Sequence, residues 1–210
     1  MTTPSPPSIP DDTYEELVEA TLLALSKTGY LDLRVRDIDA EFPKSRQLIH
    51  HYFDGKDELV TETLSVLVDQ YSRELDSSPG DDPLAKLNDE IDRVLLGEAI
   101  ADFDYWMFVT ALYEIMAQSH HNRDHQVLIN RLTDELVDHF HTIMQGGIDQ
   151  GVFEDVDTLR LAKVLDDLIT GAQSKKIFLG NDDALLETRA MIDRLVISQL
   201  VPADTSSATD

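Results

Sequence analysis

RVRDIDAEFPKSRQLIHHYFDGKDEL, residues 34–59, decides how this chain is read. Two short helical stretches flank a break. In the first, residues 35–41, Val35, Ile38 and Phe42 recur at core spacing. Pro43 ends it, because the residue before a proline is driven out of the helical region. In the second, residues 46–53, Ile49, Tyr52 and Phe53 keep helical spacing. Ser45 stands before it as an N-cap, with a hydroxyl placed to accept a free N–H of the first turn. Asp54-Gly55 breaks the chain again. Lys56 then opens a long helix to about residue 76, carrying Leu59, Leu64, Leu67, Val68 and Tyr71. Upstream, residues 14–28 set Leu17, Thr21, Ala24 and Thr28 along one side, with Val18, Leu22 and Leu25 beside them, and Gly29 stops the helix. Three helices with a tight turn between the last two make a helix-turn-helix.

The charge of this stretch differs from that of the rest. The 210 residues hold 17 Lys and Arg against 41 Asp and Glu, a net charge of −24. Residues 34–56 hold five basic side chains (Arg34, Arg36, Lys44, Arg46, Lys56) and four acidic ones, or +1. Residues 1–33 carry −5, which leaves −20 for residues 57–210. An acidic surface repels DNA at ordinary salt. Either the chain binds no nucleic acid, or it works in a salt-rich cytoplasm where the Debye length falls to about 3 Å at 1 M. The near-neutral window favours the second reading, a segment that must approach phosphate. The composition is that expected of a salt-accumulating, haloarchaeal-type host.

Arg36-Asp37-Ile38, Ser45, Ile49, Tyr52-Phe53 and Lys56-Asp57-Glu58-Leu59, with Gly29-Tyr30 upstream, resemble the DNA-binding domain of the TetR family of transcriptional regulators. The resemblance runs without gaps from about Tyr14 to Leu64. It implies an all-α fold, with an N-terminal three-helix DNA-binding domain and a C-terminal helical domain for effector binding and dimerisation. The second helix of such a motif lies in the major groove. Arg46 is suited to guanine, Gln47 to adenine and Leu48 to a thymine methyl, with His50 and His51 on the same side. Lys44 and Ser45 in the turn and Lys56 at the next helix start are expected at phosphates, and Arg36 is expected among the DNA-binding residues. The pattern departs from the family at Pro43, where Gly is usual, at His50, where Tyr is usual, and at Arg34, where a Ser or Thr cap is usual.

Beyond a loop at residues 77–83 (SSPGDDP), helices are expected at 84–96, 103–119, 124–150, 157–178 and 183–200. The division expected is a flexible segment 1–10, a DNA-binding domain 11–56, an effector-binding and dimerisation domain 57–201, and a flexible tail 202–210. The resemblance implies a small effector and a homodimer formed through the last two long helices. Leu161, Leu165, Leu168, Leu195 and Val196 are the residues expected at that interface. Tyr71, Phe103, Trp106, Met107, Thr110, Tyr113, Phe140 and Met144 are expected to line a mixed, largely apolar effector pocket.

His120, His121 and His125 cluster around Asp124, followed by His139 and His141. Their spacing matches no metal motif, and a solvated histidine loop is expected. A helical metal-dependent enzyme would need paired Glu-x-x-His motifs, which are missing. No phosphate loop or nucleophile elbow occurs. An adaptor without DNA affinity is the other alternative. No cysteine is present, so disulfide and thiol chemistry are excluded. Neither a cofactor nor a metal is expected. Without an apolar run of about 18 residues or a secretory signal at its start, the chain reads as cytoplasmic, with no membrane partner.

Overall fold

The structure is a computed structural model that describes residues 9–75, 82–97 and 105–201. Every regular element among them is helical. The expected flexible tail at 202–210, residues 1–8 of the expected N-terminal segment, and residues 76–81 of the expected loop lie outside the described residues.

Helix α1 (Asp11–Thr28) starts earlier than its apolar pattern predicts. The Pro10 carbonyl accepts the N–H groups of Thr13 and Tyr14, both at 2.9 Å. Asp11 and Asp12 put negative charge at the positive helix end. In α2 (Val35–Glu41) the missing Ser or Thr cap is offset from the other side, because the Asp37 carboxylate accepts the Arg34 N–H at 2.9 Å. Helix α3 (Arg46–Tyr52) has the expected cap, with the Ser45 hydroxyl accepting the Gln47 N–H at 3.3 Å. Helix α4 (Lys56–Leu75) follows.

The chain folds as two compact units interleaved in sequence, Met1–Tyr71 with Ile100–Arg131, and Ser72–Ala99 with Leu132–Asp210. The core of the first unit holds Leu17, Leu22, Leu25, Leu33, Ile38, Ile49, Leu59 and Leu64, all fully buried. Helix α6 (Tyr105–Gln118) packs on α1 and contributes buried Phe108, Val109, Ala111 and Ile115. The unit therefore draws on a helix far outside residues 11–56.

The start of α7 (Arg123–Asp149) corrects the expectation of a solvated histidine loop. His125 has 0% of its surface exposed. Its ring meets Tyr30 edge-on at 5.6 Å, and its Nε2 lies 2.9 Å from the Thr61 hydroxyl. That hydroxyl donates its one proton to the Asp57 carbonyl at 2.7 Å, so Nε2 must be the donor and Nδ1 is bare. Nδ1 is buried without a partner. Burial lowers the His125 pKa, against Asp57 and Asp124, which raise it. The sign follows from linkage: a depressed histidine contributes stability above its unfolded pKa of about 6.5, and that stability is lost as pH falls through the folded value. The thermal midpoint should therefore drop below about pH 6.5, and His125→Gln should flatten the drop. Asp166, held up to about 6 by burial and by Asp167, works in the opposite direction. An unchanged pH profile in the variant would dismiss the role of His125.

In the second unit, α5 (Pro83–Asp92) begins inside the expected loop. The Asp82 carboxylate accepts the N–H groups of Leu84 and Ala85, and Pro83 occupies the first turn, where no N–H is needed. The helix runs on as a π segment, Arg93–Gly97, whose Val94 carbonyl accepts from the Gln173 side chain at 2.8 Å. Beside it Glu90 is buried. Burial raises its pKa, but His139 and Arg93 outweigh this and hold the carboxyl at about 2. Asp157 caps α8 (Thr158–Leu179), and Gly180 ends it with φ of 65°. Helix α9 (Asp183–Ile192) continues through a π segment, Asp193–Ile197, and a final turn, Ser198–Leu200. Arg189 ties α9 to Asp92 and, at 2.7 Å, to Asn88. The Leu200 carbonyl accepts the Glu154 N–H at 2.8 Å, pinning the chain after α7.

Candidate nucleic-acid interface

Helix α3 turns Ile49 into the core and leaves Arg46, Gln47, His50 and His51 exposed. Leu48 and Tyr52 are half-buried at its flanks. The i,i+4 pairs Arg46–His50 and Gln47–His51 put all four polar side chains on one stripe. His51 leans edge-on against Tyr52 at 4.8 Å. Arg36 is exposed on α2, its guanidinium 3.5 Å from Asp37. Pro43 stands where a turn glycine is usual and fixes its own φ at about −65°, and Phe42 before it and Ser45 after it have φ of −86° and −74°.

Lys44 differs most from expectation. Its ammonium is bound by Glu16 at 2.9 Å, Asp12 at 3.1 Å and the Thr13 hydroxyl at 2.8 Å. Its pKa is raised by Glu16 first, then by Asp12. It ties the start of the turn to α1, and a phosphate would have to compete with two carboxylates for it. Lys56 lies at the N-terminus of α4, where helix dipole and ammonium add. Its Nζ donates to the Tyr30 carbonyl at 2.8 Å and sits 4.7 Å from the centre of the Tyr30 ring. An ammonium has three donors, so two remain for a ligand.

Tyr30 itself is held at three points. Its N–H donates to Glu114 of α6 at 3.0 Å, its carbonyl takes Lys56, and its hydroxyl donates to Asp57 at 2.8 Å. Burial, then Asp57, push its pKa up to about 12, so the hydroxyl remains a donor at neutral pH. The spacing of the motif marks Gly29-Tyr30, but no local pattern points to Glu114, 84 residues away.

No family model matches the chain. The HTH-type transcriptional regulator YfiR of Bacillus subtilis is 22% identical over 197 residues, 92% of this chain and 94% of its own. A TetR transcription regulator from Haloarcula marismortui is 27% identical and superposes with a TM-score of 0.80, over 90% of this chain and 98% of that one. The chain has the all-α fold of TetR-type transcriptional regulators and is similar to them along nearly its whole length. A protein from Saccharomonospora viridis, classed as a transcriptional regulator and solved in complex with choline, superposes with a TM-score of 0.78 at 21% identity, over 92% of this chain and 100% of that one. Like these regulators, the protein is not an enzyme.

The residues expected to line an effector pocket are placed as follows. In the first unit, Tyr71 and Tyr113 are buried, and Trp106, Met107 and Thr110 are half-buried on α6. Phe140 and Met144 are fully buried on α7 in the second unit. Phe103 lies outside the described residues. The expected dimer contacts divide differently. Leu161, Leu165 and Val196 face inward, at 7%, 0% and 0% exposure, and fill the regulator's own second unit. Leu168 is half-buried, and Leu195 stays exposed. The outward apolar residues of α8 and α9 are instead Leu159, Val164, Phe178, Leu179, Leu186 and Met191, together with Leu195 beyond them. No helix among the described residues is long and apolar enough to cross a membrane.

Proposed function

We propose that the regulator is a homodimeric repressor that binds a near-palindromic double-stranded operator and leaves it when a small, largely apolar effector binds. The observation that carries this reading is the exposed stripe Arg46, Gln47, His50 and His51 on a capped helix whose other side is locked into the core. Residues 11–56 read DNA, and residues 57–201 hold the effector site and the dimer face. Arg46 pairs with guanine and Gln47 with adenine, Leu48 meets a thymine methyl, and Arg36, Ser45 and Lys56 meet phosphates. Lys44 joins them by exchanging Asp12 and Glu16 for phosphate.

The experiment is binding to duplexes carrying the DNA upstream of the regulator's own coding sequence. Arg46→Ala or Gln47→Ala should each cost about 1–3 kcal/mol and relax preference at one position per half-site. Lys56→Ala should weaken all sequences alike. If Arg46→Ala kept the parent's affinity and preference, α3 would not be the reading helix.

The net charge of −24 supports a salt-rich working environment. Salt screens carboxylate repulsion within the fold and between the acidic domain and DNA. Stability should rise between about 0.1 and 1 M salt. The slope of DNA affinity against salt should be shallower than about −0.9 per phosphate contact. A steep negative slope with salt-independent melting would reject an adaptation to salt.

A second effector chemistry, a quaternary ammonium, is favoured by the choline-bound neighbour. Tyr105 and Trp106 meet edge to face at 5.4 Å on α6, and such rings attract cations of this kind. Choline and an apolar ligand, titrated against Trp106 emission, distinguish the two.

A further inference from the structure

Helix α6 does more in the first unit than cover α1. The Glu114 carboxylate rests over Gly29 and takes the Tyr30 N–H at 3.0 Å. A Cβ added to Gly29 would stand 2.9 Å from Glu114 Oε2, and Gly29 has φ of +70°. The turn between α1 and α2 is therefore shaped to admit this carboxylate, and only a glycine lets it approach so closely. The residue so anchored presents its carbonyl and its ring to Lys56.

We infer that Glu114 is a positioning residue for DNA binding: by fixing Tyr30 it sets where the Lys56 ammonium stands at the head of α4. Glu114 touches no DNA; it acts through one peptide unit and one ring. Lys56 has a flexible four-carbon stem, and ordering it costs side-chain entropy. The Tyr30 carbonyl and ring meet that cost before phosphate arrives, and they hold their position because Glu114 and Asp57 hold Tyr30. Movement of α6 at Glu114 must either break the bond or carry Tyr30 and Lys56 with it. The inference rests on the proposed phosphate contact of Lys56.

The test uses the full chain and a duplex carrying the DNA upstream of its own coding sequence. Glu114→Met removes the acceptor at similar size and should weaken binding roughly tenfold, as for loss of a hydrogen bond to a charged group. Glu114→Gln keeps an acceptor oxygen and should stay close to the parent. Gly29→Ala, which pushes the carboxylate away, should act like Glu114→Met. The double variant Glu114→Met, Lys56→Ala should bind no more weakly than Lys56→Ala alone, because residues acting in series are not additive. The inference is overturned if Glu114→Met binds like the parent while Lys56→Ala is weak, if Glu114→Gln is as weak as Glu114→Met, or if the two losses multiply. A parent that bound no DNA would overturn the DNA reading and this inference together. A loss in Arg46→Ala but none in Lys56→Ala would overturn the inference and leave the reading helix intact.

Discussion

Gly147→Ala should cost the second unit about 3 kcal/mol, while Gly146→Ala one residue earlier should cost nothing or stabilise. Both glycines lie in the last turns of α7. A Cβ on Gly146 meets no atom within 4 Å, and replacing a helical glycine by alanine there recovers backbone entropy of roughly 0.5–1 kcal/mol. A Cβ on Gly147 would stand 2.1 Å from Phe153 Cδ2 and 2.3 Å from Cε2. The ring cannot simply slide away. Phe153 is buried, and its own N–H and that of Val152 donate to the Gly147 carbonyl at 3.1 and 2.9 Å. Ring and glycine are thus bound to each other through the backbone, and the ring must leave the core for the methyl to enter. Against a typical total stability of 5–15 kcal/mol, roughly 3 kcal/mol is a large loss. Urea midpoints of the two variants, at unchanged slope, decide the matter. Equal midpoints would mean that Phe153 does not sit over Gly147.

Charging the outward face of the last helices should have the largest effect on function. Leu186 and Leu195 are 66% and 42% exposed. Leu186→Glu with Leu195→Glu should leave the monomer fold intact, because neither fills the core. It should place four carboxylates in the proposed two-fold interface, where burying a charge without a partner is strongly unfavourable. The native mass should fall to that of one chain. Operator affinity should fall by roughly 10²–10⁴, the advantage that joined half-sites give over single ones. Leu165→Glu, at 0% exposure, should instead unfold the chain. A double variant that still ran as a dimer would move the interface elsewhere.

The difference between Leu165 and Leu186 shows where reading the sequence stops. Helical period located α8 and α9, because apolar residues at three- and four-residue spacing identify a buried stripe. A stripe broad enough for two surfaces does not say which edge faces inward, and Leu161, Leu165 and Val196 prove to be the inner one. Locally encoded features were legible: the Ser45 cap, the stop at Pro43, the break at Asp54-Gly55 and the outward stripe of α3. Two π segments pass as ordinary helix, because one wider turn hardly disturbs the apolar period. The hold on Tyr30, the buried ring of His125 and the acidic partners of Lys44 were not legible. Each joins residues distant in sequence, and no spacing rule brings them together.

The interleaving of the two units bears on how the regulator is made. The first unit needs α6, so it has its full set of parts only once residues up to 131 have left the ribosome. The second began earlier in the chain, with α5, yet its core includes Leu200, and the Glu154 N–H waits for that residue's carbonyl. The apolar face of α5, with Leu87 and Ile91, thus leaves the ribosome more than a hundred residues before the last part of that core. A nascent chain in that state is open to aggregation and to chaperones. A fragment ending after α4 would carry all the proposed DNA contacts and lack the carboxylate that shapes the turn before them.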